Sequence, residues 1–126
     1  MSGGGSKGAY EAGVVHSVFN TLVGKDAEYD VISGVSVGAI NSAAFSLFAK
    51  GDEVSLGEFM VNLWKNITND KIYKFRETMD PVEPIFWESG YVDDSPLLQF
   101  LKDIIDQFGN IARRRVITTA NDVYTG

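Results

Sequence analysis

Gly34-Val35-Ser36-Val37-Gly38 constrains this chain more than any other stretch of it. It is a G-x-S-x-G pentapeptide, and its flanks dictate how it folds. Tyr29-Asp30-Val31-Ile32-Ser33 is predicted as a short buried strand. Ala39 to Lys50 is small and helical, with Ile40, Ala43, Ala44, Leu47 and Phe48 on one face. A nucleophile between strand and helix sits on a very tight turn whose backbone is strained. Small residues two before and two after let strand and helix pass close to each other. The N-terminus of the following helix also favours negative charge developing beside the serine. Ser36 is therefore the candidate nucleophile, and Gly34 and Gly38 are the supports of its elbow. The competing reading is a tight strand-to-helix connection around a buried, inert serine.

A second glycine-rich segment opens the chain. Gly3-Gly4-Gly5-Ser6-Lys7-Gly8 is predicted as a loop, since glycine at that density specifies neither helix nor strand. Bare backbone N–H groups in such a loop can point into a cleft and stabilise the oxyanion of acyl transfer. Gly3, Gly4 and Gly5 are the candidate oxyanion hole, with Lys7 and Gly8 as its support. Lys7 either adds positive charge there or faces solvent at the loop edge. Gly3, Gly5 and Gly8 also match G-x-G-x-x-G, but Glu28 and Asp30 stand before the next strand, not at its far end where a ribose-binding acid belongs. A phosphate-binding Walker loop fails because Ala9 occupies the lysine position.

The remaining pattern describes a layered domain. Val14, Val15, Val18, Phe19, Leu22 and Val23 recur on one helix face from Ala9, and Gly24-Lys25-Asp26 ends that helix. Leu56, Phe59, Met60, Leu63, Trp64 and Ile67 mark another helix. Thr68 to Asp94 reads as irregular, with Pro81, Pro84 and several aromatic residues. Ile85, Phe86, Trp87 and Tyr91 there read first as core under a long loop, and second as an acyl-chain groove. Ser95-Pro96 offers a hydroxyl N-cap followed by proline in the first turn. Leu97, Leu98, Leu101, Ile104, Ile105 and Phe108 give the buried stripe of that helix, and Gly109 its C-terminal cap. Arg115-Val116-Ile117-Thr118-Thr119 reads as a second strand. This order predicts an α/β fold, a three-layer α/β/α sandwich with a mainly parallel sheet. Two strands are too few for such a sheet, so residues 1–126 are expected to be the N-terminal portion of a larger domain.

Composition removes several function classes. There is no cysteine and a single histidine, which excludes thiol nucleophiles, disulfides and multi-histidine metal sites. The one imidazole, His16, lies ahead of Ser36 on a helix and reads as a partly exposed helical residue. The formal net charge is −6, against non-specific nucleic-acid binding. Arg113, Arg114 and Arg115 form the one basic run, read as a solvated lead-in to the second strand. No apolar run reaches the roughly 18 residues of a transmembrane helix.

At this point the sequence resembles the patatin-like phospholipase family. Ser2-Gly3-Gly4-Gly5-Ser6-Lys7-Gly8-Ala9-Tyr10-Glu11-Ala12-Gly13 resembles its opening glycine-rich block, and Ile32-Ser33-Gly34-Val35-Ser36-Val37-Gly38-Ala39-Ile40-Asn41 its nucleophile elbow. Gly90 to Leu97 and Thr118 to Gly126 agree more weakly. The resemblance implies a lipid acyl hydrolase with a Ser–Asp dyad: Ser36 as nucleophile and the Gly3–Gly5 loop as oxyanion hole. It implies no metal and no cofactor. It implies a lipid substrate at a membrane or micelle surface. The absence of cysteine, and of an apolar h-region after Met1, adds the expectation of a cytoplasmic protein peripheral to membranes. The dyad aspartate belongs to a later Asp-Gly-Gly or Asp-Gly-Ala motif. None of the ten aspartates here precedes glycine, so that residue is expected beyond Gly126, and Asp122 is not promoted to the role. The alternatives are a non-catalytic module binding a phosphate or lipid head group at the glycine loop, or an inactive homologue.

Overall fold

The elements follow from where the chain can bury apolar residues and where glycine lets two backbones meet. In the computed structural model the described residues are 1–22, 24–72, 74–75, 92–93 and 95–119. They fall into two units, residues 1–66 with 111–126, and residues 67–110.

In the first unit a 3-10 turn, Gly5–Lys7, leads into helix α1, Gly8–Thr21. A further 3-10 turn, Gly24–Ala27, precedes strand β1, Val31–Val35. Helix α2, Val37–Ser46, starts directly after Ser36, and helix α3 spans Glu53–Asn66. The strand following Ala112 in this unit, Arg115–Thr119, pairs with β1 in parallel, in a register that sets Gly34 opposite Thr118. The α/β reading stands. Both elements shift: the strand starts at Val31 instead of Tyr29, and α2 ends at Ser46 instead of Lys50. The strand runs to Val35 instead of ending at Ser33, and α2 starts at Val37 instead of Ala39. Gly34 lies inside the close strand–helix contact, and Gly38 faces the carbonyls of Met1 and Ser2.

Alternation along β1 places Ile32 and Gly34 toward α2, and Val31, Ser33 and Val35 outward. α2 covers one face of the sheet. On the other face Val31, Val35 and Ile117 are 44%, 47% and 53% exposed. A parallel sheet is ordinarily covered on both faces, so the described residues supply one helical layer of the predicted sandwich.

The core lies where α1 meets α3 and α2. Leu56 and Met60 are fully buried, each stabilising the fold by about 1.5–3 kcal/mol. Phe19, Tyr29 and Phe45 form a ring cluster with centroids 5.8–6.4 Å apart. Of the predicted stripe on α1 Phe19 is buried, and the other buried positions are Gly8 and Ala12 in place of the valines. Val14, Val15 and Val18 instead line an apolar hollow of about 150 Å³ with Ile32 and Phe45. The reason is tertiary: two glycines, Gly8 and Gly57, bring α1 and α3 so close that small residues define the contact.

The arginine run is also corrected. Arg113 and Arg115 are exposed, but Arg114 is 7% exposed. Its guanidinium donates to the carbonyls of Phe48, Tyr29 and Ala49 and pairs with the buried carboxylate of Glu53. A charge buried this deeply persists because each of the three guanidinium nitrogens meets at least one oxygen, one of them a carboxylate.

In the second unit a short helix α4, Asn69–Ile72, falls in the stretch read as irregular. Strand β2, Lys74–Phe75, pairs antiparallel with β3, Val92–Asp93, so that Arg115–Thr119 is β4. Helix α5, Ser95–Gln107, begins on the predicted Ser-Pro start. Gly109 ends it at φ 72°, its N–H donating to Asp106 and that of Asn110 to Ile105. That is the Schellman pattern, which favours glycine at the left-handed position. Leu98, expected in the buried stripe, is 63% exposed. Lys71 lies over the Phe100 ring, 5.7 Å from its centroid. Ile85, Phe86, Trp87, Tyr91 and Asp122 lie outside the described residues.

Candidate active site

Ser36 occupies a backbone conformation that side chains rarely adopt. Its φ is 56° and its ψ −128°, between the last residue of β1 and the first of α2. Such a conformation costs about 1–3 kcal/mol and persists only where the surroundings impose it. Here they do. A Cβ on Gly34 would collide with the Gly38 carbonyl and lie 2.5 Å from Ser42 Oγ. A Cβ on Gly38 would lie 2.6 Å from the carbonyl oxygens of Met1 and Ser2. The two glycines of the pentapeptide thus serve two different contacts. Gly34 lets the strand meet the helix, and Gly38 lets the helix meet the glycine-rich segment. The hydroxyl of Ser42 is buried here with no hydrogen-bond partner among the described residues.

The glycine-rich segment runs alongside the serine. A Cβ on Gly3 would lie 3.1 Å from Ser36 Cβ and 3.7 Å from Ser36 Oγ. Gly4 and Gly5 follow at φ 143° and 58°, values that favour glycine. Among the described residues no hydrogen bond takes up the N–H of Gly3, Gly4 or Gly5, nor does any side chain bond Ser36 Oγ. Ser36, Gly4 and Gly5 are exposed. An accessible hydroxyl therefore stands beside a loop with uncommitted N–H donors. Lys7 is exposed, and its aliphatic stem lies over Gly4, where an added Cβ would meet Lys7 Cδ at 3.1 Å. Gly8 is buried under the Trp64 ring. His16 is half-buried where α1 crosses α3, its Cα over Gly57.

Three further residues join the two segments, and the motif-based reading gave them no role. Glu11 Oε1 accepts from the N–H of Ser2 at 2.6 Å and from its hydroxyl at 2.9 Å. Asn41 Nδ2 donates to Glu11 Oε2 at 3.0 Å and to the Gly8 carbonyl at 3.2 Å. Trp64 Nε1 donates to Asn41 Oδ1 at 2.9 Å. Burial alone would raise the Glu11 pKa, but the hydrogen bonds from Ser2 and Asn41 outweigh it and hold the carboxyl below its ordinary value. The available signal was Asn41 itself, a side chain with full hydrogen-bonding needs on a helix of small residues.

The patatin-like phospholipase family model matches residues 1–123 of the 126-residue chain. The chain belongs to that family. No curated protein and no solved structure matches it. Membership agrees with the α/β arrangement, and the patatin-like phospholipase family is one that generally hydrolyses lipid esters. No helix among the described residues is long and apolar enough to cross a membrane.

Proposed function

We propose that the protein is a lipid acyl hydrolase in which Ser36 attacks the ester carbonyl. The observation that carries this reading is the positive φ of Ser36 on the strand-to-helix turn, with Gly3 packed beside its hydroxyl. Strain of this kind is expected where geometry serves chemistry. Residues 1–126 are then the N-terminal portion of the hydrolase domain. Ser36 Oγ forms a bond to the acyl carbon, and the carbonyl oxygen takes on negative charge. The N–H groups of Gly3, Gly4 and Gly5 stabilise that oxyanion, helped by the N-terminus of α2. Lys7 and Gly8 shape the loop, and Gly34 and Gly38 hold the elbow.

Collapse of the oxyanion breaks the bond to the leaving alcohol, which departs with the proton removed from Ser36. Water then hydrolyses the acyl-enzyme and frees the serine. The proton acceptor is the aspartate of an Asp-Gly motif, which residues 1–126 do not contain. The substrate is a lipid ester presented at a membrane or micelle surface.

The test is covalent labelling of the complete gene product with a fluorophosphonate probe, with Ser36→Ala as control. Labelling that disappears in Ser36→Ala supports the hydrolase. Head-group binding to vesicles without labelling would replace this reading by a non-catalytic binding module.

A further inference from the structure

Two oxygens of one carboxylate join the glycine loop to the elbow helix, and the donors around them leave no freedom in how they do so. Trp64 Nε1 can only donate. It therefore fixes the oxygen of the Asn41 amide toward α3 and the NH2 toward Glu11 and Gly8. Glu11 Oε2 must then accept. Glu11 Oε1 must also accept, because the group facing it is the backbone N–H of Ser2. A side chain with two acceptor oxygens and no donor is an ionised carboxylate. Glutamine offers one acceptor and would set its NH2 against either Asn41 or Ser2. The segment held this way, Ser2, is directly joined to Gly3, where an added Cβ would lie 3.1 Å from Ser36 Cβ. Asn41 has no exposed surface, so water cannot replace a lost bond there without opening the helix contact.

We infer that Glu11 and Asn41 are positioning residues, a latch of fixed polarity that holds the Gly3–Gly5 loop against the Ser36 elbow. This rests on the Ser36 reading for its catalytic meaning, but the latch itself is a property of the loop and is testable without turnover. Neither residue touches substrate. Their effect passes through the placement of the loop N–H donors.

The experiment is amide hydrogen exchange by NMR on the full chain, together with the rate of Ser36 phosphonylation by a fluorophosphonate in the complete gene product. Glu11→Gln and Asn41→Asp should each speed exchange at Ser2 by at least about tenfold, the scale of losing a hydrogen bond to a charged group. The combined E11Q/N41D variant moves the carboxylate to position 41 and the amide to position 11. It restores a donor facing an acceptor between positions 11 and 41, and Trp64 still donates to an oxygen, but the Gly8 carbonyl loses the donor that Asn41 gives it and faces a carboxylate oxygen. Its exchange at Ser2 should therefore return part of the way to wild type, slower than in either single variant. Trp64→Phe gives an independent check that keeps an aromatic ring at this position. It removes one of the two groups that orient the Asn41 amide, the Gly8 carbonyl being the other, so Glu11→Gln should do somewhat less harm in that background than alone.

Where Ser36 reacts, the single variants should lower its maximal phosphonylation rate while the half-saturating probe concentration stays unchanged. Unchanged exchange at Ser2 in both single variants, or a combined variant no better than either, overturns the latch. If the wild type fails to label at Ser36, the hydrolase reading falls. The exchange arms still decide the latch.

Discussion

Gly34→Ala tests whether the elbow depends on direct contact between strand and helix. The added methyl would lie 2.5 Å from Ser42 Oγ and nearer still to the Gly38 carbonyl. Ordinary contact between heavy atoms begins near 3.5 Å and the Gly38 carbonyl oxygen would stand at 2.0 Å, so β1 and α2 would have to part by roughly 1.5 Å. The Ser42 hydroxyl can rotate away, but the Gly38 carbonyl is helix backbone and cannot. Gly34 is itself held in register opposite Thr118. Overpacking of this kind costs about 1–3 kcal/mol, and backbone against backbone belongs at the upper end. For a chain of 126 residues each kcal/mol shifts Tm by about 4 °C. Gly34→Ala should therefore lower Tm by about 12 °C and lower the urea midpoint at unchanged m value.

Gly13→Ala is the control. Gly13 lies in α1, is exposed, and a Cβ there meets nothing within 4 Å. Helix propensity alone should then stabilise by about 1 kcal/mol, raising Tm by about 4 °C. A Gly34→Ala protein within about 0.5 kcal/mol of wild type, beside a Gly13→Ala protein that behaves as stated, would refute the close-approach argument.

Three other outcomes follow from the same geometry. Ser36→Gly should raise stability by about 1 kcal/mol in urea titration while abolishing fluorophosphonate labelling, because glycine relieves the positive φ and removes the hydroxyl. Arg114→Met should cost about 3–5 kcal/mol by leaving Glu53 buried without its partner, and the double variant R114M/E53L should recover much of that loss in a denaturation cycle. Because the folded-state pKa of Glu11 is depressed, its contribution is complete above the unfolded value of about 4.5 and is lost as pH falls through the lower folded value. The acid limb of a Tm-against-pH series should accordingly be shallower in Glu11→Gln than in wild type.

Much of the elbow was legible in one dimension, and the reason is locality. A tight strand–turn–helix is decided within about ten residues, by glycine sterics and the period of apolar residues, so Gly34, Ser36 and Gly38 could be read directly. The Ser-Pro start and Gly109 end of α5 were legible on the same ground, as was the β4 strand from its β-branched run. What misled the reading was anything set by a neighbour distant in sequence. The α1 stripe was assigned by hydrophobicity; Phe19 of that stripe is buried, but the other buried positions are Gly8 and Ala12, because α3 needs room there more than it needs valine. Arg114 resembled its exposed neighbours until Glu53 met it across 61 positions.

The sequence by itself therefore determined the strand-to-helix turn, the family and the α/β class, whereas the stretch read as a loop over Gly3–Gly8 coils into a 3-10 turn at Gly5–Lys7 and enters α1 at Gly8. Tertiary structure decided that loop and serine lie side by side, and that a carboxylate and an amide 30 positions apart join them. Turn chemistry depends on each residue's own backbone freedom. A latch depends on which donor faces which acceptor, and that choice exists only after helices and strand have packed.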